Sequence, residues 1–288
     1  YMLRVLAIVK DIDPGIVTVV GGAHTSVLDK ECLVDSPHAD IVVRGEGEEP
    51  MVELLGAILS GKSVESIGGI TYRTGDDIVR TTRRSFMDMA TAPAVNFGML
   101  PKKFYAGMSI NISPNRGCEY LCRFCEERIF WGSTVRSMPV ERVMAEIESV
   151  IKSRYDYRFI TLEDSMFDLR SEYFLRLADK LAEEKRKRLG YMVTRVDTVD
   201  EAGLEAAAKA GFFAILYGVE SGSEKVLELV EKGITKETIK KTLALSKKHG
   251  IYNGTLWVVG LPNDSPEEFE KSYDFLETLY GEDLTDLS

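Results

Sequence analysis

The sequence predicts an α/β protein with parallel strands, because short apolar strands alternate with amphipathic helices along most of the chain. From about residue 107 onwards each predicted strand is followed by a helix, and we count five such pairs. Residues 212–219 (FFAILYGV) are apolar at nearly every position, which is typical of a strand inside a sheet that is covered on both faces. Strands that alternate with helices in this way form parallel sheets with right-handed crossovers.

Length, charge and composition exclude several classes of protein. The chain has 288 residues, with 36 basic and 46 acidic side chains and a net charge of −10. An acidic balance without a basic block argues against nucleic acid as the main partner. The longest apolar run, residues 212–217, is far shorter than the ~20 residues that cross a bilayer, so we predict no membrane span. The chain does not open with a secretory leader, and we expect a cytoplasmic protein.

The first 65 or so residues predict a separate, smaller α/β unit. Residues 16–20 and 40–43 have the β-branched composition of short strands. Each strand runs into glycine, with Gly21 and Gly22 after the first and Gly45 after the second. Glycine at strand ends lets a bulky ligand approach the backbone.

The segment between this unit and the strand-helix pairs is expected to be less regular. Residues 53–60 continue a helix, and residues 69–80 are predicted to form a hairpin with its turn at 74–77. Residues 81–106 show little periodicity and are a candidate linker.

The strand-helix pairs have recognisable boundaries. Gly211 and Gly250 are expected to end two of the helices as C-terminal caps. The predicted strands lie at residues 108–112, 158–162, 191–193, 212–219 and 255–259.

The last helix carries a clear start signal. Residues 265–268 match a capping box with proline at the first helical position. Helical spacing places Phe269, Tyr273 and Leu276 on one face. The polar residues 281–288 that follow are expected to be frayed.

Three of the four cysteines lie within eight residues, directly after a predicted strand. Cys118, Cys122 and Cys125 form CxxxCxxC. Thiolate is the ligand that iron-sulfur clusters use, and three thiolates on a short loop can hold three irons of a cubane. The fourth iron is then open to a substrate, so we predict a [4Fe-4S] cluster with one free position.

Three other interpretations remain open. Positions i, i+4 and i+7 share a helix face, so the cysteines would be core filler in a buried helix, although charged residues surround them. A thiol redox pair at Cys122 and Cys125 is the second alternative. A zinc site is the third and requires a fourth ligand. The remaining candidate ligands are all distant in sequence: Cys32, His24, His38 and His249.

The segment RGCEYLCRFC (residues 116–125) resembles the signature of the radical S-adenosylmethionine (radical SAM) superfamily. In that family SAM chelates the open iron, and one electron from the reduced cluster cleaves it to a 5′-deoxyadenosyl radical. The resemblance implies a partial (β/α)6 TIM-like barrel with the cluster loop after its first strand, and a sixth strand beyond the end of this chain. It also implies an electron donor of the flavodoxin or ferredoxin type.

The resemblance further implies cosubstrate contacts at the ends of the barrel strands. Glu163 and Asp164 match positions that bind the methionyl amine, and Arg195 matches one that meets the carboxylate or ribose. Glu220 and Ser221 follow the fourth strand, where further contacts are expected.

Other implied contacts surround the adenine and the cluster loop. Phe124 stands at the aromatic position before the last cysteine, and Lys232 stands where relatives present a cation. Gly260, Leu261 and Pro262 resemble the backbone patch that holds adenine.

Near the N-terminus, residues 19–26 (VVGGAHTS) and 40–50 (DIVVRGEGEEP) resemble the second half of a Rossmann-like cobalamin-binding domain. That domain precedes the barrel in one large subfamily. The chain contains about half of it and no DxHxxG motif, so cobalamin binding by this chain alone is left open. The resemblance implies cobalamin contacts from Gly21, Gly22, His24, Thr25 and Gly45.

Together these observations predict three regions. Residues 1–66 are the partial cobalamin-binding-like domain, residues 67–106 the hairpin and linker, and residues 107–288 the radical SAM core barrel.

The leading hypothesis is a radical SAM enzyme that transfers a methyl group to carbon, with cobalamin, or catalyses a related rearrangement or cyclisation. Its substrate is an unknown small molecule or peptide. A methylthiotransferase is the alternative within this class, but it needs three further cysteines that this chain lacks. The alternative from another class is a non-catalytic iron-sulfur or zinc module.

Overall fold

The computed structural model forms two compact units. The first comprises Tyr1–Pro93 with Glu126–Ser133, and the second comprises Ala94–Cys125 with Thr134–Ser288. Each unit has a sheet of its own. The structure describes residues 2–99, 107–153, 157–185, 188–262 and 264–286.

The first unit is a four-stranded sheet in the order β1-β2-β3-β4, with β1 parallel to β2 and the other pairs antiparallel. Its elements are α1 (Met2–Ile12), β1 (Val19–Val20), α2 (Ala23–Val27), α3 (Asp29–Asp35), β2 (Ile41–Val43), α4 (Glu48–Leu59), β3 (Ile70–Thr74), β4 (Asp77–Arg80) and α5 (Glu127–Trp131). The predicted hairpin is confirmed as β3 and β4, and it extends the sheet from β2.

Apolar side chains cover both faces of this sheet. On one face Leu54 of α4 packs with Val43 and Ile70. On the other face Leu6 of α1 and Leu33 of α3 pack with the remaining strand side chains. A sheet covered on both faces leaves its strand ends as the accessible edge, which is where the glycines lie.

The second unit is built around a five-stranded parallel sheet in the order β5-β8-β9-β10-β11. Neighbouring strands follow one another in the sequence, as in part of a barrel. The elements are β5 (Ile110–Ile112), β6 (Asn115–Arg116), β7 (Arg136–Ser137), α6 (Val140–Lys152), β8 (Ile160–Leu162), α7 (Glu172–Glu183), β9 (Leu189–Thr194), α8 (Glu201–Ala210), β10 (Ala214–Glu220), α9 (Glu224–Leu229), α10 (Lys236–Lys248), β11 (Tyr252–Trp257) and α11 (Pro266–Gly281).

The helix boundaries in this unit follow local capping chemistry. The Asp200 side chain accepts the Gly203 N–H at 2.8 Å at the start of α8, and Gly211 ends the helix in the left-handed conformation at φ 100°. Ser265 accepts the Glu268 N–H at the start of α11, as the capping box predicts. These boundaries are readable from the sequence because each depends on neighbouring residues only.

The predicted apolar face of α11 is wrong. Phe269 and Tyr273 are 40% and 50% exposed, whereas the residues that α11 buries are Glu268, Phe275 and Leu279. The rotation has a tertiary cause, because the Ser223 hydroxyl donates to the Glu268 carboxylate and holds that side chain inward.

The expectation of a frayed tail is also wrong as far as residue 286. The Asp286 N–H donates to the Asn253 carbonyl at 2.8 Å, and the Asn253 N–H donates to the Asp286 carboxylate at 2.8 Å. Thr285 is buried. The polar side chains of the tail therefore make bonds to β11, and residues 287–288 lie outside the described part of the chain.

Residues 81–99 of the predicted linker contain no α-helix or strand and one 3-10 turn, Phe97–Met99. Residues 100–106 of that linker lie outside the described residues. Among the helices that the structure does describe, none is both long and apolar enough to span a membrane.

Gly203 gives a direct test of the packing of α8. An added Cβ would lie 2.6 Å from the Leu169 carbonyl oxygen, which cannot move aside as a flexible side chain does. Gly203→Ala should therefore destabilise the second unit by about 1–3 kcal/mol in calorimetry.

The matched control is Gly281→Ala, at the exposed end of α11, where an added Cβ meets no atom within 4 Å. It should leave stability unchanged or raise it by up to about 1 kcal/mol. Equal effects of the two variants would contradict the close approach of α8 to residue 169.

Candidate functional site

The three cysteines lie on an irregular loop at the carboxyl end of β5. Residues 117–125, all of them described, contain no helix or strand, so the buried-helix interpretation is wrong. Cys118, Cys122 and Cys125 are each partly exposed, and none forms a disulfide. The Cys125 N–H donates to the Cys122 carbonyl at 3.1 Å, which closes a tight turn between the last two cysteines.

This loop fits an iron-sulfur cluster by its donor chemistry. It presents three accessible thiols from a single short segment, and the Arg195 guanidinium donates to the Cys122 sulfur at 3.3 Å. Across the described residues, no three histidine, cysteine or carboxylate side chains are arranged around one metal ion. A cubane offers a separate iron to each thiolate, so its ligands need not converge in that way.

The far end of the loop is anchored on α9. The Arg123 N–H donates to the Val230 carbonyl at 2.9 Å, and the Arg123 guanidinium pairs with Glu231. The Phe124 ring packs on a small apolar cluster that includes Val230 and Leu261. This packing fixes the orientation of the aromatic ring that precedes the last cysteine.

The two carboxylates that follow β8 have different partners. Asp164 accepts the Asn115 backbone N–H at 2.8 Å and the Asn115 amide at 2.6 Å, which fixes the start of β6. Glu163 accepts the Asn111 amide at 2.6 Å and the Tyr191 hydroxyl. The hydrogen bond to Glu163, with burial and the charge of that carboxylate, raises the pKa of Tyr191 to about 12.

Arg195, just after β9, connects several segments of the second unit. Its guanidinium makes a bidentate pair with Asp197 at 2.8 Å, donates to the Lys232 carbonyl and stacks on the Tyr120 ring. Burial opposes the charge, but the hydrogen bonds and attraction of Asp197 outweigh it, so the pKa of Arg195 lies above its usual value.

Glu220 and Lys232 form a nearly buried ion pair at the end of β10, with 2.7 Å between Oε1 and Nζ. Glu220 has a φ of 68°, and the pairing of β10 with β11 shifts register beside it. An added Cβ on Gly218 would lie 2.9 Å from the Lys232 Nζ. A strained backbone and a glycine thus make room for this pair, and the Lys232 Nζ also lies 6.0 Å from the centre of the Phe124 ring.

The remaining predicted cosubstrate residues divide into two groups. Ser221 is buried, and its hydroxyl bonds with the Ser272 hydroxyl of α11 and accepts the Ser223 N–H. Gly260 and Pro262 are exposed, and Gly260 has a φ of 86° that glycine adopts without strain. The backbone after β11 is therefore accessible, whereas the Ser221 side chain is committed to α11.

The residues predicted for cobalamin lie together in the first unit, after β1 and β2. Gly22 and Gly45 have φ of 104° and 75°. The Ser26 hydroxyl links the two loops, donating to the Gly22 carbonyl at 2.7 Å and accepting the Gly45 N–H at 2.9 Å. Thr25 is buried and donates to the same carbonyl, while Gly21 and His24 are at the surface.

A cavity of about 210 Å³ opens beside these loops within the first unit. The residues that line this cavity were not predicted from the sequence. The available signal was the presence of three arginines within residues 80–84. Its lining includes Ser26, Arg44, Gly45, Arg83, Phe86 and Phe130.

In the second unit, sequence reasoning missed the partners of the predicted residues. Asn111, Tyr120, Tyr191 and Asp197 all contact residues that it did identify. Asn111 and Tyr191 are polar residues inside strands, and that pattern was the available signal.

Known proteins are similar to this chain in sequence. The radical SAM superfamily profile matches residues 112–276, and the profile of the B12 binding domain matches residues 1–55. The anaerobic magnesium-protoporphyrin IX monomethyl ester cyclase of Rubrivivax gelatinosus is 31% identical over an alignment of 281 residues, and the match covers 94% of this chain and 50% of that protein. This chain therefore spans about half the length of the curated relatives it matches.

Two solved structures have a similar fold. The radical SAM methyltransferase TsrM of Kitasatospora setae, solved with tryptophan and a SAM analogue, superposes with a TM-score of 0.81 at 21% identity. The match covers 97% of this chain and 56% of that one. OxsB, solved with aqua-cobalamin and SAM, has a TM-score of 0.78 at 20% identity, covering 94% and 41%.

The Tyr191–Glu163 hydrogen bond makes a measurable prediction. Glu163→Gln should lower the pKa of Tyr191 from about 12 toward its ordinary value of 10.0, because the carboxylate disfavours tyrosinate. NMR of Cζ-labelled tyrosine reports this pKa, and Tyr217, whose pKa is raised by burial, should not respond.

The raised pKa of Tyr191 also makes the stability of the fold depend on pH. Because folding raises the pKa of Tyr191, the stabilisation is complete below about pH 10 and is lost as pH rises to about 12. Tyr191→Phe should remove that loss from the unfolding curve. A Tyr191 that titrates near 10 in the unmodified protein would contradict the bond.

Proposed function

Because the chain belongs to the radical SAM superfamily, we propose that it is the core of an iron-sulfur enzyme that cleaves S-adenosylmethionine reductively. The observation that carries the proposal is the loop at the end of β5, which presents three accessible thiols beside a buried arginine. Cys118, Cys122 and Cys125 would hold the cluster. When bound there, a [4Fe-4S] cluster supplies the electron that breaks the sulfonium of SAM.

The surrounding residues have the chemistry that SAM requires. The methionyl group of SAM carries an ammonium and a carboxylate. The carboxyl ends of the parallel strands carry groups of opposite charge, which are the carboxylates of Glu163 and Asp164 and the ammonium of Lys232. Glu220 would hold Lys232 in place, since an unpaired buried ammonium is costly. These assignments are part of the proposal.

The adenine needs a flat apolar face and backbone hydrogen bonds. Phe124 supplies a ring fixed by its packing, and the exposed backbone at Gly260 and Pro262 supplies polar groups close to Leu261. Ser221 would hold α11 in place and would not contact SAM, because its hydroxyl is already bonded to Ser272 of that helix.

The reaction that we propose is methyl transfer to carbon or a related cyclisation. The family resemblance of residues 1–55 favours a corrin ligand, and its proposed contacts lie on the loops after β1 and β2: Gly21, Gly22, His24, Thr25 and Gly45. The cavity beside Gly45 belongs to the same part of the first unit. Both a methyltransferase and a cyclase occur among the similar proteins, so each reaction remains part of the proposal.

Two further parts of the proposal concern the setting of the enzyme. Reduction needs an electron donor, for which a flavodoxin or ferredoxin is the expected partner, and a cytoplasmic location would provide it. We also propose residues 1–66 as the cobalamin-binding part, 67–106 as hairpin and linker, and 107–288 as the core barrel.

The proposal predicts which cysteines are needed. After anaerobic reconstitution, dithionite and SAM should release 5′-deoxyadenosine, measured by chromatography and mass spectrometry. Replacing Cys118, Cys122 or Cys125 with alanine should reduce the release to background, because each removes one iron ligand.

Cys32→Ala is the matched control, since that cysteine is buried in the first unit and makes no contribution to the loop. It should retain both iron and product. A cluster-loaded sample that forms no 5′-deoxyadenosine would contradict the proposed function.

Cobalamin binding has a separate test. His24 is exposed just after β1, so its imidazole is free to contact a ligand there. His24→Ala should weaken the binding of hydroxocobalamin on the order of tenfold, as expected for loss of one good contact, in a titration followed by corrin absorbance. His38→Ala is the control and should bind as the unmodified chain does; equal affinity in all three would refute a His24 contact.

A further inference from the structure

We propose that Arg195 is a positioning residue that fixes the cysteine loop and raises the reduction potential of a cluster held there, through its bond to the Cys122 sulfur. The inference rests on the proposed function and adds a role that differs from cosubstrate binding. It concerns the second unit alone.

The hydrogen bonds of Arg195 are almost fully committed to the protein. Its Nε and Nη2 donate to the two Asp197 carboxylate oxygens at 2.8 Å, Nη2 also donates to the Lys232 carbonyl, and Nη1 donates to the Cys122 Sγ at 3.3 Å. A guanidinium has five N–H donors, and these four bonds use four of them. Little of its donor capacity remains for the carboxylate or ribose of a cosubstrate.

Tyr120 closes the flat face of the same guanidinium. The Arg195 carbon Cζ lies 3.8 Å from the centre of the Tyr120 ring, well within the range of a cation–π contact. Tyr120 and Cys122 are both on the cysteine loop, so Arg195 contacts that loop at two points. Through Asp197 and Lys232 it also ties the loop to the connection after β9 and to the connection between α9 and α10.

Burial strengthens the electrostatic effect of the bond from Arg195 to the Cys122 sulfur. Arg195 is 6% exposed, and electrostatic effects are stronger away from water. Hydrogen bonds to cluster sulfurs are one of the factors that set the potential of an iron-sulfur centre. Reduction adds negative charge, and a nearby cation with an N–H directed at a sulfur stabilises the reduced state. Asp197 offsets part of that charge, so it should act in the opposite direction.

The same loop provides a matched control. Arg123 lies one residue from Cys122, but its side chain is 66% exposed and pairs with Glu231. Arg123→Gln removes the same formal charge from the loop without removing a bond to sulfur. If overall charge were the cause, the two arginines would have equal effects.

The test is a redox titration of the reconstituted full chain, followed by electron paramagnetic resonance, with iron and sulfide content measured on each sample. Arg195→Gln should make the midpoint potential more negative by about 59 mV, which is a tenfold change in a one-electron equilibrium. Arg195→Lys keeps the charge but loses the planar fork, so an intermediate shift is expected. Arg123→Gln should match the unmodified protein.

Asp197→Asn separates an electrostatic role from a purely structural one. Removing the carboxylate leaves the charge of Arg195 less compensated, so the potential should become less negative. A structural role alone predicts that Arg195→Gln and Asp197→Asn change the potential in the same direction, or lower the iron content without changing the potential. Either result overturns the electrostatic part.

Loss of iron from both Arg195 variants with normal iron in Arg123→Gln supports the positioning part, and Asp197→Asn then decides the electrostatic part. Unchanged potential and iron content in Arg195→Gln overturns both. Failure of the proposed function is distinguishable, because the unmodified chain would then bind no cluster or form no 5′-deoxyadenosine.

Discussion

A guanidinium that is almost removed from water needs protein partners for its charge and its donors, and in this protein the groups that partner Arg195 come from separate segments. Asp197 follows the same strand, the Lys232 carbonyl follows α9, and Tyr120 and Cys122 come from the cysteine loop. An unpaired buried charge would cost several kcal/mol, so these segments are held in register with one another. The position of the thiols is therefore determined by the sheet and not by the loop alone.

The same edge of the sheet carries the strained and closely packed features of the second unit. Glu220 has a positive φ, Gly218 leaves space for the Lys232 ammonium, and Glu163 is held by an amide and a phenol. Strain and buried charge reduce stability, and they concentrate where a protein arranges groups for a ligand. The opposite ends of the strands show apolar packing, as in the contact between the rings of Phe159 and Phe213.

The sequence predicted features that depend on neighbours in the chain. The caps at Gly211 and Ser265 and the hairpin of β3 and β4 were all readable, because local hydrogen bonding or turn geometry determines them. The orientation of α11 was not readable, because a bond between Ser223 and Glu268, forty-five positions apart, sets it. The partners of Glu163, and the bonds of Arg195 to Cys122 and Lys232, were missed for the same reason. Motif resemblance found the cysteines, but no motif encodes which side chain lies against their sulfurs.

The segment after α11 has a role beyond connecting elements. Among the strands that the structure describes, β11 stands at one end of the parallel sheet, so one of its sides faces away from β10. The mutual bonds between Asn253 and Asp286, together with the bond from the Asn253 amide to the Leu284 carbonyl, occupy that side. Exposed strand edges promote intermolecular pairing and aggregation. Within the described residues, the segment after α11 thus covers part of the outer side of β11 and reduces the backbone that another chain could pair with.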